Sequence, residues 1–197
     1  MTSIIKVDTI QDTAGNNIIN ENSNTITIGA SGDTITIPSG ATITNSGTAT
    51  GFGESNTPAF QMRRDSDQTG LSDNSAVKII FNQDVIDTDS ATDTSTGRFT
   101  VPSGKAGNYF LYGYVSVYSA GNIRGGSLRM YKNGSAVYFP QWQFGQAQSQ
   151  GVFVTSGILN LSASDYVELY ANINVDSGTS DLANSNGYNN IFGGFKL

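Results

Sequence analysis

The longest apolar stretches of the chain alternate strictly every two residues. In residues 109–118 one face is Tyr109, Leu111, Gly113, Val115 and Val117, and the other is Phe110, Tyr112, Tyr114, Ser116 and Tyr118. In residues 166–175 one face is Val167, Leu169, Ala171, Ile173 and Val175, and the other is Tyr166, Glu168, Tyr170, Asn172 and Asn174. Successive side chains of a β-strand point to opposite faces, so both stretches predict strands. Their aliphatic faces suit a sandwich core. Their second faces collect tyrosine, a residue enriched where protein surfaces meet. Tyr112, Tyr114, Tyr118 and Tyr170 are therefore expected at an interface between copies of the chain. The converse arrangement, an aromatic core with an aliphatic interface, has the same alternation and stays open.

Shorter runs of the same kind predict strands at 59–64, 77–81, 98–101, 109–119, 127–132, 136–144, 152–161, 166–175 and 190–197. Turn-rich segments separate them, and Asn133-Gly134 between two apolar runs is a strong two-residue hairpin signal.

Residues 1–55 follow a different pattern. An approximate repeat reads TITIGASGD from Thr25, TITIPSG from Thr34 and ATITNSG from Ala41. Alternation places Ile26 and Ile28, then Ile35 and Ile37, then Ile43, on one face. One such strand cannot bury that stripe alone. Three chains wrapped on one axis would bring the isoleucine rows into a narrow core, giving an extended, intertwined β shaft. A flexible polar linker with incidental isoleucine pairs is the competing reading. The expected division is thus 1–55 as an attachment and shaft segment and 56–197 as a compact head.

Composition narrows the chemistry. Ser, Thr, Asn and Gly make up 85 of 197 residues and charged residues only 13%, which fits an all-β chain with polar turns. No cysteine excludes disulfides and thiol chemistry, and no histidine excludes Ser-His-Asp triads and the usual zinc sites. A net charge of −6 argues against a nucleic-acid surface, and no apolar run is long enough for a membrane helix. No secretory signal is visible.

Six pieces in order resemble the globular head of the complement-1q and tumour-necrosis-factor superfamily. They are PAFQMR at Pro58, KIIFN at Lys78, FTVPSGKAGNYFLYGYV at Phe99, YKNG at Tyr131, SGILNLSASDYVELY at Ser156 and the closing FGGFKL. Two features depart from the family pattern. Ser164-Asp165 stands where Gly-Asp is common, and the loop after Phe81 lacks the usual second phenylalanine. The resemblance implies a ten-stranded jelly-roll β-sandwich forming a compact homotrimer, with the chain entering and leaving at the base. The opening KVDTIQDTAGN and the TITI repeats are similar to N-terminal segments of fibre proteins from marine bacteriophages, cyanophages included.

With strands alternating in direction from the shaft, loops 65–75, 119–126, 145–150 and 176–189 are expected at the tip. Loops 102–107, 133–135 and 162–164 are expected at the base. Long polar loops on a rigid scaffold commonly carry recognition. Asp67, Asn122, Arg124, Gln146, Gln148, Asp181, Asn184, Asn186 and Tyr188 are the candidate receptor-binding residues, with a host glycan or protein as receptor. The trimer interface is expected at Ile26, Ile28, Ile35, Ile37, Tyr112, Tyr114, Tyr118 and Tyr170. Trp142 is expected in the sandwich, at the seam or against ligand, and Arg124 and Arg129 as interface ion-pair partners, with binding of an acidic sugar as the alternative. Asp84, Asp87, Asp89 and Asp93 form an acidic loop that is expected to be solvated, with calcium as the alternative. No cofactor and no catalytic pair are expected. The resulting expectation is a non-enzymatic homotrimeric virion fibre, on the tail or, as the alternative, on the capsid. It would dock to other virion structural proteins through its N-terminus and bind host cells by multivalent contacts. A secreted complement-head-type ligand and a polysaccharide depolymerase are remoter alternatives.

Overall fold

A computed structural model describes residues 8–23, 25–29, 31–47, 56–184 and 190–197. The chain divides into two compact units, Met1–Phe52 and Gly53–Leu197.

In the first unit, β1 (Thr9–Gln11), β2 (Asn17–Asn22) and β3 (Thr25–Ile28) form an antiparallel meander. Asp12 closes the first turn by accepting the backbone N–H groups of Ala14 at 2.8 Å and Asn16 at 2.9 Å. The register places Ile10 opposite Ile19 and Ile19 opposite Ile28, a cross-strand isoleucine row. All three stay exposed, as do Ile26, Ile35, Ile37 and Ile43. The repeats beginning at 34 and 41 form no strand among the described residues, unlike the first repeat. Within one chain these later Thr/Ile alternations have no neighbouring strand to pair with, and alternation without a ladder partner does not make a sheet.

The second unit is a β-sandwich whose two layers share their longest strands. Its elements are β4 (Ala59–Arg63), β5 (Gln68–Ser72), β6 (Ala76–Lys78), β7 (Gln83–Asp87), β8 (Thr92–Asp93) and β9 (Arg98–Thr100). They continue with β10 (Gly107–Lys132), β11 (Ser135–Tyr138), β12 (Gln141–Leu161), β13 (Tyr166–Val175), β14 (Thr179–Leu182) and β15 (Asn190–Lys196). The first layer runs β7-β4-β15-β10, with the C-terminal half of β12 on the other edge of β10. The second runs β8-β9-β13-β10, with β6 also on β13. β14 pairs with both β10 and β5. No helix is present among the described residues.

β10 belongs to both layers because it bends between Tyr118 and Gly125. Between the pairs Tyr118↔Gln150 and Ile123↔Gln148, residues 119–122 oppose Ser149 alone. Between Ile123↔Gln148 and Gly125↔Gln143 the excess reverses, and residues 144–147 oppose Arg124. Such bulges bend a strand and raise its local twist, which lets it leave one sheet and join another. The expected loops 119–126 and 145–150 are therefore bulges inside strands, and the expected strands 109–119 and 127–132 are one. Segments 68–72 and 179–182, expected as loop, are also strands.

The aliphatic faces point inward. Leu111, Val115 and Val117 from one layer and Leu128, Leu169 and Ile173 from the other are buried. Phe60, Phe99 and Phe192 bridge the layers, with Phe60 stacked on Phe99 at 4.1 Å and edge-on to Phe192 at 5.0 Å. The Tyr109 hydroxyl is satisfied by donating to the Lys105 carbonyl at 2.6 Å. Asn133 and Gly134 both take positive φ, 50° and 80°, as the expected hairpin turn requires. Ser164 takes φ 70° where the resembled family commonly has glycine. Asp165 steadies that turn by accepting the Ser162 N–H at 2.8 Å. The unit's ends meet, since Lys196 N–H donates to the Pro58 carbonyl at 3.0 Å.

Gly113 sets the spacing of the layers. A Cβ there would collide with Leu169 Cδ1 and stand 3.2 Å from the Ile191 carbonyl. Gly113→Val is expected to lower stability by about 1–3 kcal/mol through overpacking. Urea denaturation midpoints at unchanged slope would measure this.

Candidate functional site: an apolar sheet face and a polar cleft

The outer face of the first layer is apolar across three strands. The register places Ile158 opposite Phe110, Val154 opposite Tyr114 and Val152 opposite Ser116. On the other edge of β10, Phe195 lies opposite Phe110 and Ile191 opposite Tyr114. Val152, Val154 and Ile158 are exposed by 61%, 47% and 54%. Tyr112 is half-buried already, its ring edge over Gly193 and its hydroxyl donating to Gln61 Oε1 at 3.0 Å. Burial pushes the Tyr112 phenol above its ordinary range. Tyr114 shares this face, and Tyr118 stands exposed further along β10. The valines and isoleucine of β12 escaped the sequence reading. Their signal was present in residues 152–159, where apolar side chains occupy both alternate faces.

Tyr170 does not share that face. It lies on β13, on the outside of the second layer, stacked on Tyr131 at 4.0 Å. Its hydroxyl donates to Glu168 Oε2 at 3.3 Å. The two outer faces point in opposite directions from the core, so this tyrosine packs with its own sheet instead.

Among the expected tip residues, the two aspartates are engaged in holding backbone. Asp67 Oδ1 accepts Asn184 N–H at 2.7 Å, and Asp181 Oδ1 accepts Gly70 N–H at 2.7 Å. Asn122 takes φ 59° within the bulge, a conformation asparagine tolerates well. Gln146 and Gln148 lie exposed in β12, joined by Gln148 Nε2 donating to the Gln146 carbonyl at 3.3 Å. Arg124 pairs with Asp176 Oδ1 at 2.6 Å. Asn186 and Tyr188 lie outside the described residues. Arg64, which no sequence pattern flagged, is buried and fixes this end by donating to the carbonyls of Ser66, Asp67 and Ile80. The acidic loop is likewise engaged locally. Asp87 accepts from the backbones of Ala91 at 2.9 Å and Thr92 at 3.1 Å, and Asp93 from Ser95 at 2.9 Å. Hydrogen bonds from Ser95 and Thr96 hold the Asp93 carboxyl down to about 2. Among the described residues no three acidic side chains converge as a metal site would need.

A cleft of about 440 Å³ opens on the outside of the second layer. Asn172 and Asn174 of β13 form one wall and Gln141 and Gln143 of β12 the other, with Asn74, Arg124, Trp142 and Phe144 completing it. Gly125 and Gly126 form the floor between the walls. A Cβ on Gly125 would strike the Trp142 carbonyl, and one on Gly126 would lie 2.6 Å from the Asn172 carbonyl. Close backbone approach from both sides thus requires this Gly-Gly. Trp142 packs edge-on against Phe153 at 6.1 Å, so it belongs to the sandwich and also borders the cleft. Arg129, the second arginine of this region, donates to Ser127 Oγ at 2.7 Å.

No family model and no curated protein matches the chain. Solved structures do. The globular domain of zebrafish complement 1qA protein superposes with a TM-score of 0.51 at 18% identity, covering 71% of this chain and 97% of that one. Murine APRIL at pH 8.0 superposes with a TM-score of 0.50 at 13% identity, covering 71% and 98%. These likenesses establish the fold. It is the jelly roll that those two domains share.

Further along this sheet, Glu168 is buried between Lys78 Nζ at 2.6 Å and Arg98 Nη2 at 2.8 Å. Burial alone would raise its carboxyl, but the hydrogen bonds and charges of the two cations outweigh that and hold it below its ordinary 4.5. Its contribution is therefore complete above pH 4.5 and is lost as pH falls through the lower folded value. Glu168→Gln is expected to cost about 1–3 kcal/mol at neutral pH. It should also flatten part of the loss on acidification, which denaturation midpoints between neutral pH and the acid limb would record.

Proposed function

We propose that this protein is a homotrimeric virion fibre protein whose jelly-roll head attaches the particle to the host-cell surface. The observation that carries the reading is the apolar outer face of the first layer, where Val152, Val154, Ile158, Phe110 and Tyr114 lie side by side on paired strands. A contiguous apolar patch on a sheet face marks an interaction surface. Set around a three-fold axis, such a face meets neighbouring copies through heterologous contacts that close a ring. The fold is consistent with this, since the resembled superfamily assembles as compact trimers.

The N-terminal unit supports the same arrangement. Its exposed isoleucines, Ile26 at 68% among them, have no core within one chain and acquire one when three chains run together. Residues 1–55 then serve as shaft and particle attachment, with the similarity to marine phage fibre openings giving the biological setting. Tail placement is the first assignment and a capsid-decorating fibre the second. No catalytic role is assigned. Several heads per particle would turn weak individual contacts into firm adhesion.

Light scattering of the full chain should give about three times its 20.8 kDa mass. Val154→Lys with Ile158→Lys should release folded monomers, because lysine ammonium groups buried in an apolar seam lose their hydration. A wild-type monomer would remove the assembly, and trimers that survive both substitutions would remove its seam from this face. Antibody labelling of purified virions should decorate fibres, and unlabelled particles would remove the virion assignment.

A further inference from the structure

We propose that the cleft between β12 and β13 is the recognition site of the head and that its ligand is a neutral saccharide. The inference deepens the attachment reading and takes its biological sense from it.

Five amide side chains line the cleft: Asn74, Gln141, Gln143, Asn172 and Asn174. Among the described residues none of them exchanges a side-chain hydrogen bond with another part of the protein. For an exposed glutamine that means little. Asn172 is different, because it is only 8% exposed. Its amide is not one of the sealed, unpaired polar groups of the head, so it meets solvent along the cleft it lines and is open to a ligand there. Each amide offers a carbonyl acceptor and an NH₂ donor a short distance apart. A sugar hydroxyl both donates and accepts, so neighbouring hydroxyls on a ring match a row of amides.

The charges select among sugars. Arg124 is the one cation of the lining, and its Nε is already bound to Asp176 Oδ1 at 2.6 Å. The lining carries no acidic residue, and the chain as a whole is −6, which disfavours an anionic ligand. Trp142 and Phe144 border the cleft while their rings pack on Phe153, which fixes the strand that carries Gln141 and Gln143. A volume of about 440 Å³ is within the range of small-ligand sites. The glycine floor keeps the trough open, since no side chain fits at Gly125. The cleft lies on the sheet opposite the apolar face, so trimer assembly through that face leaves it accessible.

Trp142 is the only tryptophan and borders the cleft, so its fluorescence is a single local reporter. The full-length protein is titrated with methyl α-mannoside, methyl β-galactoside and maltotriose, with 3′-sialyllactose as the acidic comparison. Saturation-transfer NMR is run on the same samples. The expected result is a saturable fluorescence change and saturation transfer with at least one neutral sugar. Asn172→Leu and Gln143→Ala should each weaken binding about tenfold while leaving circular dichroism and mass unchanged. Gln143 is exposed, so its variant remains informative if Asn172→Leu fails to fold. A flat response to all neutral sugars, a response to sialyllactose alone, or binding unaltered in both variants would overturn the assignment. Light scattering on the same samples separates the two readings. A trimer that binds no sugar overturns the cleft and leaves the assembly, and a monomer that binds does the reverse.

Discussion

Strand β10 makes backbone ladders with five other strands, and the head depends on that one continuous segment. Its first half holds the middle of the apolar-faced layer and its second half the middle of the other. Leu111, Val115 and Val117 look into the core before the bend, and Ile123, Leu128 and Met130 after it. Keeping the inward face inward while changing sheets requires an excess of residues on each strand in turn, which is what the paired bulges supply. The two layers approach closely enough that a side chain at Gly113 would enter Leu169.

This construction leaves two outer faces with opposite character. The first layer presents β-branched and aromatic side chains, with Val152, Val154 and Ile158 exposed. The second presents tyrosines, amides and a buried carboxylate held by two cations. The difference follows from what the neighbouring strands bring. β15 and β12 place Phe195, Ile191, Val152, Val154 and Ile158 around the β10 aromatics, whereas β13 and β6 place Glu168, Asn172 and Lys78 around Arg129 and Ser127. One face is suited to excluding water against a copy of itself. The other keeps polar groups open to a ligand that carries its own hydrogen-bonding groups.

The tip illustrates how composition can mislead about a site. Its acidic residues look available in the sequence, yet Asp67, Asp73 and Asp181 each accept a backbone N–H from a distant segment. Those bonds hold β5 and β14 together and join them to the end of β13. Four of the amides that remain free are on strands, at positions where an alternating pattern marks them only as outward-facing, and the fifth, Asn74, is in the turn between β5 and β6.

Much of the head was legible from the sequence. Two-residue alternation identified β13 at its full extent, Tyr166–Val175, and sorted the side chains of β10 and β13 into two faces, because a side chain's face depends only on its parity along the strand; which face turns inward was left open and is decided by the packing. Asn133-Gly134 marked its hairpin because few residue pairs accept two positive φ angles. Short strands such as β5 and β14 carried too few apolar residues to be seen, since they exist through hydrogen bonds to sequence-distant strands and not through local propensity. The continuity of β10 across 119–126 was hidden for the same reason, because a bulge is defined by the partner strand. Which tyrosines share a surface, and that Tyr170 stands apart from Tyr112, depends on which strands become neighbours. So does the cleft, whose walls come from residues some thirty positions apart. Parity is a local property of the chain and can be read from it. Adjacency is decided only when the sheets close over a common core.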